Sequence, residues 1–182
     1  TIVANDRTFA MADLRGGHFY TGAARPCVAA QLLGIPLESA EVVALLAGGP
    51  PLVEGDARIR WDDGHYVVDI TGARGTGETL FLQITDAEHD SARPEAQHPR
   101  PSHAELRDAR GVRAVLTFED YDTVGGVVFP KRIRVEMERD HIDLLVRYRE
   151  VTLDPDLPED AFSQEPPSDA LDRQTVTCDD AR

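Results

Sequence analysis

The segment from Gly72 to Gly77, GARGTG, has the glycine-rich composition of a loop that binds phosphate through backbone amides. Such loops lead into a helix whose N-terminus faces the phosphate, and P-loops also carry a Lys followed by Ser or Thr. Here the strand-like sequence TLFLQIT follows, and the Lys is missing. The glycines therefore predict a turn between two strands and no nucleotide site.

Histidines are the next residues that can carry chemistry, and the chain has six. His89, His98 and His103 fall between residues 86 and 103, in a stretch rich in Pro, Ala and acids without apolar periodicity. That composition indicates an exposed loop, which does not hold metal ligands in a preorganised set. We predict surface histidines, no metal centre and no cofactor.

Nucleophilic catalysis needs a Ser or Cys beside a His and an orienting carboxylate, and no G-x-S-x-G motif occurs in the chain. Paired acids such as Glu119-Asp120 and Glu159-Asp160 are present, but a chain with 33 Asp and Glu forms such pairs by chance. The sequence therefore indicates that the protein is not an enzyme.

The formal net charge of −14 indicates a surface that repels phosphate backbones, so we expect no nucleic-acid partner. Cys27 and Cys178 match no zinc-ligand spacing. They form one long-range disulfide if the compartment is oxidising, or else remain a buried thiol and an exposed thiol. The sequence leaves both alternatives open.

The secondary-structure elements that position these candidate residues are indicated by the hydrophobic pattern of the sequence. The pattern is clearest between Val127 and Phe162. Apolar residues alternate with polar residues from Val127 to Met137 and again from Ile142 to Tyr148, with Leu145 out of phase. The turn-like Glu138-Arg139-Asp140 separates the two runs. The pattern predicts two antiparallel strands that share one apolar face.

Turn residues divide the rest of the chain into further short strands. Gly16-Gly17, Asp63-Gly64 and Gly125-Gly126 each separate strand-like runs and predict hairpins. Two short amphipathic helices are expected at residues 26–34 and 39–48, the second capped by Ser39. About eight or nine strands in meander order with two inserted helices predict an α+β fold, in which the helices cover one curved antiparallel sheet.

Two segments of the chain resemble bacterial lipoprotein-localisation factors of the LolA/LolB type, and especially LolB-like lipoproteins. They are FPKRIRVEM…LLVRYREVTLDPDLPEDAF, with its Phe129-Pro130 and Tyr148, and FYTGAARPCVAAQLLGIPLESAEVVALLAGGPP. The resemblance covers about residues 7–162 and implies an incomplete β-barrel closed by helices around a cavity for acyl chains. On this basis residues 1–162 form a single half-barrel domain and 163–182 a polar tail. Because Thr1 enters that fold late, we expect an upstream part to be missing or supplied separately.

The resemblance implies a periplasmic carrier of acyl chains or lipoproteins with a mobile helix as lid. It also implies peripheral association with the outer membrane or anchoring to its inner leaflet. The alternative is a structural or interaction lipoprotein of the envelope with a packed core and no cargo. Lys131 shares the apolar phase of its strand, where it meets a lipid carboxylate or phosphate at a cavity mouth, or extends to solvent from the rim, or is moved out of phase by a bulge at Pro130. The predicted lid residues are Val42, Leu45 and Leu46, and the predicted cavity lining is Trp61, Tyr66, Val68, Ile70, Leu80, Leu82, Phe118, Phe129, Lys131, Ile133, Val135, Leu144, Val146 and Tyr148.

Overall fold

The computed structural model describes residues 2–4, 7–23, 25, 28, 34–84, 98–158 and 172–177. Its contacts divide the chain into two compact units, residues 1–42 with 154–182 and residues 43–153. Strands dominate both units. In chain order they are β1 (Ile2–Ala4), β2 (Thr8–Asp13), β3 (His18–Ala23), β4 (Gly55–Asp62), β5 (His65–Gly72), β6 (Gly77–Gln83), β7 (Arg100–Asp108), β8 (Gly111–Val124), β9 (Val127–Met137), β10 (Ile142–Arg147) and β11 (Asp172–Val176).

The first unit contains a four-stranded sheet in the order β1-β2-β3-β11. β2 and β3 form the predicted hairpin, and Gly17 in its turn has a φ of 74° that favours glycine. β11 pairs in parallel with β3, although it lies in the stretch that we predicted as a polar tail. Its sequence, DRQTV, has no apolar alternation, so only the long-range pairing reveals this strand.

The second unit contains a seven-stranded sheet in the order β10-β9-β8-β7-β6-β5-β4, and all neighbouring strands are antiparallel. The hairpin from β4 to β5 turns at Asp63-Gly64, where both φ angles are positive, 43° and 82°. This is the geometry of a type I′ turn, whose twist matches the twist of the strands it joins. Consecutive hairpins of this kind produce the meander order that the turn residues predicted.

The predicted fold class, α+β with an incomplete β-barrel covered by helices, is wrong. The structure is mostly β with two open sheets, and the described residues contain one α-helix with defined bounds, α1 (Ser39–Leu46). A helix of eight residues is about 12 Å long, whereas seven strands at a spacing of about 4.8 Å span about 29 Å. α1 is therefore too short to cover the larger sheet.

The second predicted helix begins as expected at Ser39 and ends before Gly48, whose φ of 84° stops the helical backbone. The first predicted helix lies outside the described residues, except for Val28 and Gly34. Within the described ranges, no helix has both the length and the apolar character needed to cross a membrane.

Candidate functional site

One face of the seven-stranded sheet carries the apolar side chains that the alternation predicted. Residues directly opposite each other on neighbouring strands project to the same face, so the register assigns each residue to a face. Val135 lies opposite Leu116 on one side and Leu144 on the other. This face, called the apolar face below, also holds by register Trp61, Tyr66, Val68, Ile70, Leu80, Leu82, Phe118, Ile133 and Val146, to which alternation along β9 adds Phe129 and Lys131.

Two exceptional positions in this pattern are settled by the register. Leu145, the one residue out of phase in β10, lies opposite Arg134 on the other face and is 43% exposed. Pro130 pairs with Tyr121 without a shift of the β8–β9 register. Because Pro130 causes no bulge, Lys131 keeps the phase of the apolar face and is partly buried there.

Burial on the apolar face decreases from β9 towards β4. Ile133 and Val135 are 0% exposed, so this half of the face is packed core. At the other side of the sheet Ile59 is 71% exposed and Trp61 is 51% exposed. Trp61 lies edge-on to the partly buried Tyr66, with ring centroids 4.8 Å apart. Ile59, Trp61 and Tyr66 form an apolar border of the sheet that faces solvent, called the open margin below.

The end of α1 packs on the apolar face near the start of β9. The Tyr148 hydroxyl donates a hydrogen bond to the carbonyl oxygen of Leu45, and its ring meets Phe129 edge-on at 5.0 Å. Leu45 is 4% exposed, so this predicted lid residue is buried, whereas Leu46 is 60% exposed and Val42 is partly buried. These contacts fix the C-terminal turn of α1 to the sheet in this structure.

Glu78 is the charged residue among those of the apolar face that the predicted lining did not include, and Ile59, Leu106 and Leu116 are apolar examples. Glu78 lies between Ile70 and Leu106 in the register and is 0% exposed. Its Oε2 accepts a hydrogen bond from the Val53 amide at 3.2 Å, and its Oε1 has no partner among the described residues. Burial raises the pKa of the Glu78 carboxyl, and only the Val53 amide opposes this effect. Alternation with Leu80 predicts this position, because both residues have the same phase in β6.

We expect Glu78→Gln to remove a pH-dependent cost of folding. Because the folded state raises the pKa of Glu78, the contribution of this carboxyl to stability is full below its ordinary pKa of 4.5 and is lost as the pH rises through the folded-state pKa. At pH 7 the variant should therefore be more stable than the wild type by about 1 kcal/mol. The difference should shrink at pH 4.5 and below.

Urea unfolding of both proteins at pH 4.5 and pH 7 measures this difference. Glu105→Gln is a suitable control, because Glu105 is only partly buried and pairs with Arg107 at 2.6 Å on the opposite face. That control should lower stability slightly at pH 7. An equal pH dependence in wild type and Glu78→Gln would contradict the assignment.

The opposite face of the sheet is covered by paired charges. Arg60 contacts Asp69 at 3.1 Å, and the Thr79 hydroxyl donates to Asp69 at 2.8 Å. Arg107 donates to Thr79 at 2.6 Å and pairs with Glu105. The hydrogen bond from Thr79 is the main cause of the lowered pKa of Asp69. Such exposed pairs contribute little each, and they surround a small buried part of this face in which Val67 is 0% exposed and Thr79 is 3% exposed.

A cavity of ≈ 470 Å³ lies where β8 begins and β9 ends, next to the turn before β10. Apolar side chains such as Val112, Met137 and Ile142 line it together with charged groups that include Arg139. None of the predicted lining residues belongs to this cavity. The predicted site therefore corresponds to the apolar face and not to this cavity.

The other chemical candidates do not converge on a site. Residues 73–75 form a 3-10 turn between β5 and β6, as the glycines predicted. His103 lies edge-on to Phe81 at 5.2 Å and near Glu105 at 3.8 Å, whereas His98 is exposed and His89 lies outside the described residues. In the part of the chain that the structure describes, no three His, Cys, Asp or Glu cluster as metal ligands. Cys27 and Cys178 also lie outside it, so their disulfide stays a prediction.

A scan of protein-family models, a search of curated proteins and a search of solved structures each find no match to this chain. The resemblance to LolA/LolB-type factors therefore stays a prediction from short sequence motifs. The candidate site rests on the apolar face and its open margin.

Proposed function

We propose that this protein binds the acyl chains of a lipid or lipoprotein at the open margin of its apolar face. The observation that supports this proposal is the exposure of Ile59 and Trp61 on the same face that forms the core. Exposed apolar residues that continue a buried face mark sites of contact with apolar partners. In the cell, this function implies a periplasmic location where the protein receives its cargo from a membrane.

The composition of the open margin favours an acyl chain over a polar ligand. In the register, Ile59 lies opposite Val68, which lies opposite Leu80, and the row has no charge. Trp61 and Tyr66 add aromatic surface beside it. A chain that lies across these residues leaves water at a gain of about 0.8 kcal/mol per buried methylene. Several methylenes are needed, since binding also costs translational and conformational freedom.

The second candidate function is that of a structural or interaction protein of the envelope, whose core is packed and holds no cargo. The complete burial of Ile133 and Val135 favours it for the β8–β9 half of the apolar face. Both candidates agree on that half and differ only at the open margin. Binding of an acyl chain to Ile59 and its neighbours therefore separates them.

We expect Ile59→Asp to weaken the binding of a fluorescent fatty acid about tenfold, because it places a charge in the apolar row. Leu145→Asp is the matched control, since Leu145 is a 43% exposed apolar residue on the opposite face. The measurement is a fluorescence titration of delipidated protein. Absence of uptake by the wild type, or equal losses in both variants, would contradict binding at the open margin.

A further inference from the structure

β4 is an edge strand whose outer side is open. All eight of its residues, Gly55–Asp62, are exposed, and each pairs with β5 in one unbroken register. In an antiparallel ladder half of the backbone N–H and C=O groups of an edge strand point away from its partner. Such a row of unpaired groups is a template for another strand.

β4 has only part of the usual protection of an edge strand, namely the charged side chains of Asp56, Arg58, Arg60 and Asp62. Its sequence, GDARIRWD, contains no Pro and no Lys, and its register with β5 contains no bulge. The opposite edge of the sheet differs, because β10 has six residues and every second one is partly buried. β4 is therefore the longer and more accessible edge, and its Ile59 and Trp61 add exposed apolar surface.

The charges of β4 indicate which strand fits. Arg60 is held by Asp62 and by Asp69. Arg58 lies opposite Asp69, which is already bonded to Arg60 and Thr79, and Arg58 has no ion pair among the described residues. A complementary strand would place an acid opposite Arg58 and an apolar residue opposite Ile59.

We propose that β4 pairs with β4 of a second copy of this chain, in an antiparallel register that sets Arg58 opposite Asp62 of the second copy. The same register sets Ile59 opposite Trp61, and the two-fold symmetry repeats both pairs. Arg60 then lies opposite Arg60 of the second copy, and each Arg60 keeps its intramolecular contact with Asp69 at 3.1 Å, which offsets its charge. Asp62 exchanges its contact with Arg60 for one with Arg58 of the second copy. The apolar faces of the two sheets become continuous. This dimer goes beyond acyl-chain binding and does not depend on it.

Sedimentation equilibrium at about 0.15 M salt, where charges are screened beyond about 8 Å, tests the dimer in spite of the net charge of −14. We expect the full chain to dimerise with a Kd of about 100 µM or less, so that dimers are abundant at a protein concentration of about 100 µM. Such an affinity is typical of a small interface. Arg58→Asp should weaken dimerisation about tenfold, because it sets two pairs of acids opposite each other. Asp62→Arg should weaken it in the same way.

The double variant that combines Arg58→Asp with Asp62→Arg exchanges the charges and should restore the wild-type dimer. Arg147→Asp on the other edge strand is the control and should leave dimerisation unchanged, while circular dichroism confirms that each variant is folded. A monomeric wild type would overturn the proposal and leave β4 for a strand of another protein. Failure of the charge exchange to restore the dimer, or an equal loss in the control, would overturn it as well.

Discussion

Phe118→Ala is expected to destabilise the protein by about 3–5 kcal/mol, the largest effect of any substitution considered for the sheet. Phe118 is 3% exposed and lies opposite Ile133, which is 0% exposed, on the apolar face. Truncation to Ala removes the buried ring next to Ile133 and leaves a cavity that the surrounding structure closes only in part.

Urea unfolding followed by circular dichroism measures this loss as a lower midpoint at an unchanged slope. Leu145→Ala, on the opposite face and 43% exposed, is the control and should cost less than about 1 kcal/mol. A loss of less than about 1 kcal/mol at Phe118 would mean that the β8–β9 half of the apolar face is not packed core. The region that binds an acyl chain would then extend from the open margin to β8 and β9.

Gly48→Ala is expected to cost about 3 kcal/mol for two separate reasons. The φ of 84° at Gly48 disfavours any residue with a Cβ by about 1–2 kcal/mol. A Cβ at this position would also lie 2.4 Å from Cε2 of Phe129, so the ring must move. That movement breaks the edge-on contact between Phe129 and Tyr148, which ties the end of α1 to the sheet.

Gly64→Ala separates the two contributions, since Gly64 has a φ of 82° but no atom within 4 Å of an added Cβ. This control should therefore show only the backbone strain, about 1–2 kcal/mol, in the same thermal or urea unfolding experiment. Equal losses in the two variants would show that the Phe129 contact does not contribute to stability.

Alternation along the chain predicted the apolar face because a period of two follows directly from strand geometry. Burial alternates in β9 from Ile133 to Met137 and in β10 over all six positions, and the hairpin turn then fixes their register. Even the misfit, Leu145, was visible as a break in phase. Turn residues likewise predicted the hairpins, since Gly125 and Gly126 adopt positive φ angles of 56° and 85°.

Closure of the sheet was not predictable in this way. Whether a meander curls into a barrel depends on accumulated twist and on the pairing of its first and last strands, and neither is written in local periodicity. The prediction of a barrel came from the family resemblance, and the structure has two open sheets instead. β11 was missed because a polar strand that pairs only through its backbone has no hydrophobic period.

The candidate site was predicted as a face but not as a gradient of burial. Parity assigns Trp61 and Ile133 to the same side, yet one is 51% exposed and the other 0%. The difference arises because β4 is an edge strand with a neighbour on one side only, whereas β9 has neighbours on both. The alternation along β6 places Glu78 on the same face as Leu80, but the predicted lining of β6 contained only apolar residues.

Quenching of Trp61 by an acyl chain tests binding at the open margin most directly. Trp61 is the single tryptophan of the chain, so all indole fluorescence reports on this position. A fatty acid brominated near its middle should quench this emission with saturation, while the unbrominated acid of equal length should not. Equal emission with both acids would place the acyl chain elsewhere or nowhere on the protein, and would contradict the proposed function.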